Sequence, residues 1–351
     1  MSEIDELIKQ PGSWLKRGGK KEVVVSSRIR LARNVDGRAF PGWADEQSAQ
    51  QLWEDLLPVL SSLRECPDPL VLDLPSLTRV ERGVLVERHL ISRDLAQASP
   101  GAGLVFQRDE TVAIMVNEED HLRLQAMNPG LALRAMWRRI DAVDSEIEQR
   151  VPFAFSSQLG YLTACPTNLG TGMRASAMLH LPGLVLMNEI NSIVRGVNKI
   201  GLAVRGLWGE GTDASGNMFQ ISNQTTLGER EESIIARLEQ IVLEIAEHEK
   251  DARTRLLQQR ENHLRDHVGR AYGILAHAFM LNSRETLDLL SALRLGIDLG
   301  IVLNWSKSVL DELFLLIQPG HLQKLAGKNI GSEKRDLARA HLVRERLQLR
   351  Q

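Results

Sequence analysis

The sequence predicts a mixed α+β domain followed by an all-helical C-terminal domain, with the boundary near residue 255. Two observations lead to this prediction. Short β-branched and apolar runs alternate with helix-periodic segments as far as Asn223, and from Glu229 onward the pattern is helical to the end. A chain of 351 residues is also long enough for two domains and a sizeable core.

The amino-acid composition argues against several classes of function. Hydrophobic residues make up 43% of the chain and charged residues 25%, as in soluble globular proteins. Lys plus Arg (43) nearly balances Asp plus Glu (45), which argues against broad electrostatic binding of nucleic acid or membrane. The sequence contains no long apolar run and no signal-peptide core. The chain has two cysteines, Cys66 and Cys165, so we do not expect a fold held together by disulfide bonds. Few cysteines are typical of proteins in the reducing cytoplasm, which is the expected location.

The first strand signal is Val23–Val25, which continues into the segment 26–34. Alternation along a strand places Arg28 and Arg30 on one face and the apolar residues between them on the other. Two arginines on one strand face form a double clamp for anionic oxygens. A solvated polar strand face is the alternative interpretation.

A helix is predicted over 45–63, followed by a short strand at 70–74. A hairpin is then predicted, with strands at 101–106 and 111–117, the second apolar enough to be buried. His89 lies between apolar neighbours, where a lone histidine is more often packed than functional.

Three consecutive acids, Glu118 to Asp120, stand at the end of that buried strand. One interpretation is a helix start, with Asn117 as cap and the acids in the first turn. The second interpretation, compatible with the first, is a catalytic carboxylate beside a sheet edge, with Arg123 one turn further along the same face. A metal cluster is disfavoured because consecutive acids on a helix cannot all point at one ion.

A helix is predicted over 131–150, and the segment from Cys165 to Arg174 then forms a turn rich in Pro, Asn and Gly. Its glycines let the backbone approach a ligand, and its arginine offers a rigid charged fork for phosphate. The cysteine is either a buried structural thiol or a reactive thiolate. Gly170 to Ala175 also fits the G-x-G-x-x-A dinucleotide fingerprint, although the strand-turn-helix context is missing.

Further short strands are predicted at 184–187, 201–205 and 218–223. Between the last two lies a glycine-rich segment, Arg205 to Asn217, whose charged residues would close over a ligand. An ordinary hairpin turn is the alternative for that segment.

From Glu229 to Arg260 the pattern predicts a long amphipathic helix. His263 and His267 have i,i+4 spacing, but two ligands alone do not make a metal site. In the final helix, Arg335 and Arg339 share a face that suits a phosphorylated group. A basic solvated helix is the alternative from charge pattern alone.

Arginines at strand ends and turns, together with paired acids, suit phosphoryl transfer. The P-loop and protein-kinase motifs are missing from the sequence. A cluster of arginines can nevertheless bind a triphosphate and stabilise the negative charge that develops during transfer. Glu119 and Glu210 would then hold a guanidinium acceptor in line, and one of them would take its proton. A thiolate at Cys165 would help by its charge.

Four stretches resemble, in the family's order, motifs of the ATP:guanido phosphotransferases, the phosphagen kinases. Cys165–Gly172 resembles the family signature, and Asn117–Arg123 resembles its substrate-carboxylate motif. Ser26–Arg30 and Arg205–Glu210 resemble its nucleotide strand and its substrate loop. The resemblance implies an antiparallel sheet flanked by helices.

The resemblance also implies roles. Glu119 would be the principal catalytic carboxylate and Glu210 its partner, beside Glu118 and the reactive thiol of Cys165. The implied cofactor is ATP, with Mg²⁺ carried on the nucleotide. The implied nucleotide-binding positions are Ser26, Ser27, Arg28, Ile29, Arg30, His89, Arg123, Arg174, Ala175, Ser176, Ala177, Met178, Arg205, Gly206, Leu207, Trp208, Gly209 and Glu210.

The layout resembles the bacterial protein-arginine kinases, a branch of that family. Small-molecule phosphagen kinases carry a helical domain ahead of the nucleotide strand; here that strand begins near Val23 and a helical extension follows residue 255. The final helix matches the R-D-x-x-R-A phosphoarginine motif of that branch, which implies binding by Arg335, Asp336, Arg339 and Ala340.

The implied partners are protein substrates with accessible arginines, a zinc-binding activator protein and a Clp-type chaperone-protease, with phosphorylation marking proteins for proteolysis. Apolar stripes in the helical domain favour a homodimer. Nucleic acid and membrane are not expected partners. The alternatives are a small-molecule guanidino kinase and, from another class, a phosphoarginine-binding adaptor with an inactive core, which the intact carboxylates disfavour.

Overall fold

The computed structural model describes residues 3–15, 23–97, 99–206, 214–303, 305–327 and 329–348. The chain divides into two compact units. The sheet unit comprises Ser26–Ala177 and Ser222–Glu239, and the helical unit comprises Met1–Val25, Met178–Ile221 and Gln240–Gln351.

The strands of the described ranges are β1 Val24–Arg33, β2 Leu70–Asp73, β3 Gly103–Phe106, β4 Val112–Val116, β5 Leu122–Pro129, β6 Phe155–Ser156, β7 Gly160–Tyr161, β8 Met173–His180, β9 Leu202–Gly206 and β10 Met218–Asn223. The helices are α1 Glu3–Leu7, α2 Glu46–Ser61, α3 Arg79–Glu87, α4 Leu133–Glu148, α5 Pro182–Leu186, α6 Ile190–Lys199, α7 Glu231–Gln259, α8 Glu261–His277, α9 Ser283–Asp298, α10 Lys307–Leu316, α11 Pro319–Leu325 and α12 Ser332–Gln348.

The sheet unit is built on strands in the order β2-β3-β4-β5-β1-β8. The pairs β2–β3, β3–β4, β4–β5 and β5–β1 are all antiparallel. Helix α4 packs against β5, and α2 packs against β3. Alternation along β1 holds as predicted, since Ile29 and Leu31 are fully buried while Arg28 and Arg30 are partly exposed. The predicted antiparallel sheet with flanking helices is confirmed.

The helical unit takes up the end of β8, where the strand order continues β8-β10-β9. Its other elements are mostly helices, with α8 and α10 packed on α9, and α12 packed on α8 and α11. The predicted helical C-terminal region is therefore confirmed. The boundary predicted near residue 255 stays a prediction, and it falls inside the unbroken helix α7. No helix in the described ranges combines the length and the apolar character needed to cross a membrane.

The strand predicted at 184–187 is wrong, because this segment belongs to helix α5. Pro182 stands in its first turn, where the missing N–H of proline costs nothing. The Glu249 carboxylate accepts hydrogen bonds from the N–H groups of Gly183 and Leu184, both at 2.9 Å. This cap comes from a residue distant in sequence, so local apolar pattern does not reveal it.

A buried ion pair joins the end of β1 to α4 in the sheet unit. The guanidinium of Arg33 donates to Asp144 Oδ2 from Nε at 3.1 Å and from Nη2 at 2.7 Å. Its Nη1 donates to the carbonyls of Ala32 and Thr171, and the ring of Tyr161 stacks on it with 3.5 Å between Cζ and the ring centroid. The guanidinium of Arg33 is thus paired with a carboxylate, hydrogen-bonded to two carbonyls and stacked on an aromatic ring.

Breaking this pair is expected to be costly. Asp144→Ala leaves a buried guanidinium without its carboxylate and should lower the free energy of unfolding by about 3–5 kcal/mol. The matched control is Asp55→Ala, which breaks the exposed pair between Arg38 and Asp55 and should cost less than about 1 kcal/mol. Urea unfolding of both variants measures the difference, and equal losses would contradict the prediction.

Candidate active site

Four arginines converge on one face of the sheet unit. Arg28 and Arg30 project from the same side of β1, and the β1–β5 register sets Ala32 opposite Arg123, so Arg123 shares that face. Strand β8, the other neighbour of β1, carries Arg174, and Ala32 N–H donates to Gly172 O at 3.0 Å where the two strands begin to pair. We call Arg28, Arg30, Arg123 and Arg174 the arginine face.

The charges of the arginine face repel one another. Burial, together with Arg123 and Arg174, lowers the pKa of Arg28 to about 10. The pKa of Arg30 is also lowered well below its ordinary value, by burial and then by Arg28, Arg123 and Arg174. The buried Nε of Arg30 has no hydrogen-bond partner among the described residues. Such a concentration of cationic donors is suited to a polyanion.

His89 adjoins the arginine face in an unusual backbone conformation, with φ of 61°. Burial, followed by the charges of Arg28 and Arg30, lowers the pKa of its imidazole to about 3, so the ring is neutral. The amide of Gln125, which lies opposite Arg30 in the strand register, donates to the His89 carbonyl at 2.7 Å. Gln125 thereby holds the strained residue in place, a role for which the sequence carries no motif.

Asn117 and the three acids that follow it, Glu118 to Asp120, form the turn of the β4–β5 hairpin, which we call the acidic turn. Asn117 N–H donates to His121 O at 3.0 Å, and Glu118 N–H donates to Asp120 O at 3.1 Å. Asn117 has φ of 54°, a conformation that asparagine tolerates, and its side-chain amide donates to the carbonyls of Ala49 and Gly101. The alternative of a helix starting at Asn117 is wrong, because the following residues pair as strand β5.

The two glutamates of the acidic turn differ in environment. Glu118 has only 3% of its side chain exposed, and its Oε1 accepts a hydrogen bond from Arg123 Nη1 at 2.5 Å. The side chain of Glu119 is 43% exposed, and its Oε2 lies 3.5 Å from Arg123 Nη2. Burial raises the pKa of Glu119, Arg123 counteracts this, and Asp120 and Glu118 raise it further. Glu119 is therefore the accessible carboxylate and Glu118 the fixed one.

The segment 165–172, which we call the cysteine loop, meets the acidic turn directly through Asn168, and Ala164, the residue before the loop, also bonds that turn. Asp120 Oδ1 accepts hydrogen bonds from Ala164 N–H at 2.7 Å and from the Asn34 amide at 2.6 Å. The Asn168 amide nitrogen lies 3.5 Å from Glu119 Oε2. Cys165 is partly buried, with its Sγ 3.0 Å from the hydroxyl of Thr167.

The glycines of the cysteine loop face the protein's own backbone. Gly170 has φ of 106° and Gly172 has φ of 65°. A Cβ on Gly170 would lie 2.7 Å from Thr226 O, and one on Gly172 would lie 2.6 Å from Ala32 O. Strand β8, not a helix, follows Gly172, so the dinucleotide alternative is wrong.

Beside the acidic turn opens a cavity of about 430 Å³. Both glutamates and Arg123 contribute to its lining, together with Asp94, Leu95 and Ala102. No group of three or more His, Cys, Asp or Glu side chains in the described ranges is arranged to hold a metal ion.

The other predicted nucleotide-binding residues lie in different parts of the molecule. Ser27 is buried and serves the fold, since its hydroxyl donates to Gly130 O at 2.6 Å and accepts from Ala132 N–H at 3.0 Å. Ile29 lies in the core. Arg205 is an exposed residue of β9 in the helical unit, whereas Leu207 to Asp213, including Glu210, lie outside the described residues. The roles assigned to them stay predictions.

The two arginines of the predicted phosphoarginine motif also differ. Arg339 is 1% exposed and donates to the carbonyls of Ile317 and Leu281 and to Asp336 Oδ1. Arg335 is partly exposed and donates to Ile330 O at 2.9 Å. The solvated-helix alternative is therefore wrong for Arg339, and phosphoarginine binding stays a prediction.

Similarity to known proteins agrees with this architecture. The family model "ATP:guanido phosphotransferase, C-terminal catalytic domain" matches residues 60–252, and "Protein-arginine kinase McsB C-terminal domain" matches residues 261–351. The chain belongs to the ATP:guanido phosphotransferase family, whose name specifies ATP as phosphoryl donor. Over its full length it is similar to curated protein-arginine kinases. It is 45% identical to the one from Halothermothrix orenii (99% of this chain, 100% of the relative) and 45% identical to the one from Moorella thermoacetica (97% and 98%).

Solved structures are similar over part of the chain. The duplicated taurocyamine kinase of Schistosoma mansoni, with bound transition state analogue components, superposes with a TM-score of 0.60 at 30% identity. The match covers 70% of this chain and 35% of that enzyme. A lombricine kinase matches with a TM-score of 0.58 at 26% identity, over 70% of this chain and 75% of that one. The family inferred from the motifs is confirmed.

The arginine face is expected to respond to a polyanion. Arg30→Met removes one of four mutually repelling cations, so it should leave the melting temperature of the unliganded protein unchanged or higher. It should also weaken binding of inorganic tripolyphosphate about tenfold or more, since a charged hydrogen bond contributes about 1.5–3 kcal/mol. Thermal shift against tripolyphosphate concentration measures both effects.

The control is Arg108→Met, which removes an exposed arginine paired with Asp68 at 3.2 Å. This variant should keep the full tripolyphosphate response. A wild-type response in Arg30→Met would refute the anion-binding role of the arginine face.

Proposed function

We propose that this protein is an ATP-dependent protein-arginine kinase, which transfers the γ-phosphoryl group of ATP to the guanidinium of arginine residues in proteins. The observation that carries the proposal is the arrangement in the sheet unit, where the arginine face adjoins one accessible carboxylate, Glu119. Full-length similarity to protein-arginine kinases supports the choice of a protein acceptor.

In this proposal the arginine face binds the triphosphate and stabilises the charge that develops during transfer. Arg123 belongs to the arginine face and also bonds Glu118, so the same residue links the donor side to the acceptor side. The motif resemblance also assigns Arg205 a role in phosphate binding, and Mg²⁺ would be carried on the ATP phosphates.

On the acceptor side, Glu119 orients the guanidinium and receives its proton. A bond forms between a guanidinium nitrogen and the γ-phosphorus, the bond from that phosphorus to the bridging β–γ oxygen breaks, and ADP leaves. An arginine guanidinium has a pKa above about 12, so its nitrogen becomes nucleophilic only as its proton is taken. The motif resemblance assigns Glu210 to the other side of the acceptor guanidinium and Cys165 to its vicinity.

The finer assignments extend the same proposal. Phosphorylation would mark proteins for a Clp-type protease, a zinc-binding activator would stimulate the kinase, and the helical unit would form a homodimer in the cytoplasm. Arg335, Asp336, Arg339 and Ala340 would bind phosphoarginine and confer allosteric regulation. The resemblance in motif and layout supports these assignments.

The function is tested by offering ATP and Mg²⁺ with either denatured mixed proteins or free guanidino compounds, including arginine, taurocyamine and lombricine. Mass spectrometry under non-acidic conditions should find phosphate on arginine side chains of the proteins. Transfer to a free compound with no modified protein would instead establish a small-molecule kinase, which the likeness to taurocyamine and lombricine kinases favours.

A carboxylate that must be ionised gives a specific pH dependence. Because burial raises the pKa of Glu119, the acid limb of kcat/KM should lie above the ordinary glutamate value of about 4.3. Glu119→Gln should lower kcat by about 10²–10⁴-fold while the thermal shift with ATP persists. Glu119→Asp keeps a carboxylate and should retain an acid limb. Full activity in Glu119→Gln would exclude Glu119 as the base.

A further inference from the structure

Large apolar side chains are exposed on segments that are hydrogen-bonded to the acidic turn or to the cysteine loop. In the described part of the sheet unit, the exposed large hydrophobic residues are Trp43 (90%), Phe155 (59%), Leu227 (50%) and Leu159 (42%). Isolated exposed apolar residues are ordinary on protein surfaces, so exposure alone indicates nothing. The informative feature is that each of these four lies on a segment fixed to the acidic turn or to the cysteine loop.

The segment carrying Trp43 is fixed through His121, the residue after the acidic turn. His121 Nδ1 accepts from Val35 N–H at 3.0 Å, and its Nε2 lies 2.9 Å from the carbonyl of Ala39. The ring of Phe40 meets the imidazole edge-on, with 6.0 Å between centroids. Trp43 N–H then donates to Phe40 O at 2.8 Å. Trp43 is thus exposed on a loop that is bonded to the base of the acidic turn.

The segment carrying Phe155 and Leu159 is the small β6–β7 hairpin. Its Tyr161 N–H donates to Gly170 O at 2.8 Å, which joins the hairpin to the cysteine loop. The ring of Tyr161 contacts Phe155 edge-on at 5.3 Å and also stacks on the buried Arg33. The exposed ring of Phe155 therefore has a rigid base.

Leu227 follows Thr226, whose hydroxyl lies 2.6 Å from Leu169 O and 3.0 Å from Thr167 O. The segments of Trp43 and Phe155 are also joined to each other, since Asp36 N–H donates to Pro152 O at 2.9 Å and Ala154 N–H donates to Asn34 O at 2.8 Å. The exposed apolar residues therefore belong to one hydrogen-bonded framework with the acidic turn and the cysteine loop.

We propose that Trp43, Phe155, Leu159 and Leu227 form a docking surface for the stretch of polypeptide that flanks the acceptor arginine. This inference rests on the proposed function, since it specifies the substrate as an extended segment with apolar residues near its arginine. Extended chain advances about 3.3 Å per residue, so residues a few positions from the arginine reach beyond the acidic turn while the guanidinium stays in it.

Charge and chemistry favour this occupant. Glu119 and Asp94, both exposed, attract a cationic side chain. The apolar residues on the segments bonded to the acidic turn and the cysteine loop suit uncharged neighbours on the same chain. Rigid exposed aromatic residues are effective anchors because they lose little conformational entropy on binding. A free guanidino compound has no chain with which to contact such a surface.

The test compares acceptors and variants in steady-state kinetics. The acceptors are an arginine peptide with leucines at flanking positions, the same peptide with serines there, and N-acetyl-arginine-amide. Wild-type enzyme should have the lowest KM for the leucine peptide. Trp43→Ser with Phe155→Ser should raise that KM about tenfold, equivalent to about 1.4 kcal/mol, with kcat and the KM for ATP unchanged. Activity on N-acetyl-arginine-amide should also be unchanged.

The matched control is Leu303→Ser, which removes an 83% exposed side chain from the α9–α10 connection and should have no effect on any KM. Equal KM values for the leucine and serine peptides, or wild-type KM in the double variant, would refute the docking surface while leaving the kinase activity intact. A double variant that changes oligomer mass in analytical ultracentrifugation without changing KM would assign the surface to a second copy instead. Failure of the wild-type enzyme to phosphorylate any arginine peptide would refute the proposed function itself.

Discussion

The ion pair between Arg123 and Glu118 is the interaction on which the site depends. Arg123 stands at the start of β5, where the strand register places it on the face that carries Arg28 and Arg30. Its guanidinium also bonds the buried carboxylate of Glu118, so the cationic and acidic halves of the site share one residue. Glu118 is buried in this ion pair, whereas its neighbour Glu119 is 43% exposed and presents the accessible negative charge. A sheet that displaced Arg123 by one residue would turn it to the opposite face and separate the two halves.

Buried polar contacts fix the acidic turn to Asn34, which follows β1, and to Ala164, which precedes the cysteine loop. Asp120 Oδ1 accepts two hydrogen bonds, one from Asn34 and one from Ala164, while its Oδ2 has no hydrogen-bond partner within the described ranges. Burial raises the pKa of Asp120, and the two hydrogen bonds counteract that effect. Such half-satisfied buried groups cost stability, which the packing of the surrounding sheet must offset. The site thus concentrates unfavourable electrostatics where a ligand of opposite charge would relieve them.

Sequence alone predicted the elements with strong periodicity. The alternation in β1, the buried strand β4 and the long helix α7 all appeared as expected. In these elements the spacing of apolar residues along the sequence indicates which side chains are buried. The motif at 117–123 also indicated which acids and arginine belong together. The sequence did not distinguish a helix start from a hairpin turn at Asn117, since asparagine followed by acids is compatible with both. Only the pairing of β4 with β5 decides between them.

The positioning residues could not be predicted for a different reason. Gln125, Asn34 and Thr226 act through hydrogen bonds to residues 36, 86 and 57 positions away, respectively, and no local pattern encodes such contacts. The glycines illustrate the same limit. The turn motif predicts that Gly170 and Gly172 let a ligand approach, yet both make room for neighbouring carbonyls of the protein itself. A turn motif specifies that close approach occurs there, whereas the partner in that approach is set by the tertiary fold.

A small guanidino acceptor and a polypeptide acceptor place different physical demands on the surface of a kinase. A small acceptor is recognised by enclosing it, which buries apolar side chains around it. A polypeptide acceptor enters as a side chain from a chain that remains outside, so its recognition requires surface beyond the reacting group. In the sheet unit, Trp43 and Phe155 stand in water although their backbones are bonded to the base of the acidic turn and to the cysteine loop. A fixed backbone that carries an exposed ring is suited to recognising a long acceptor, because the ring can contact chain that stays outside the site.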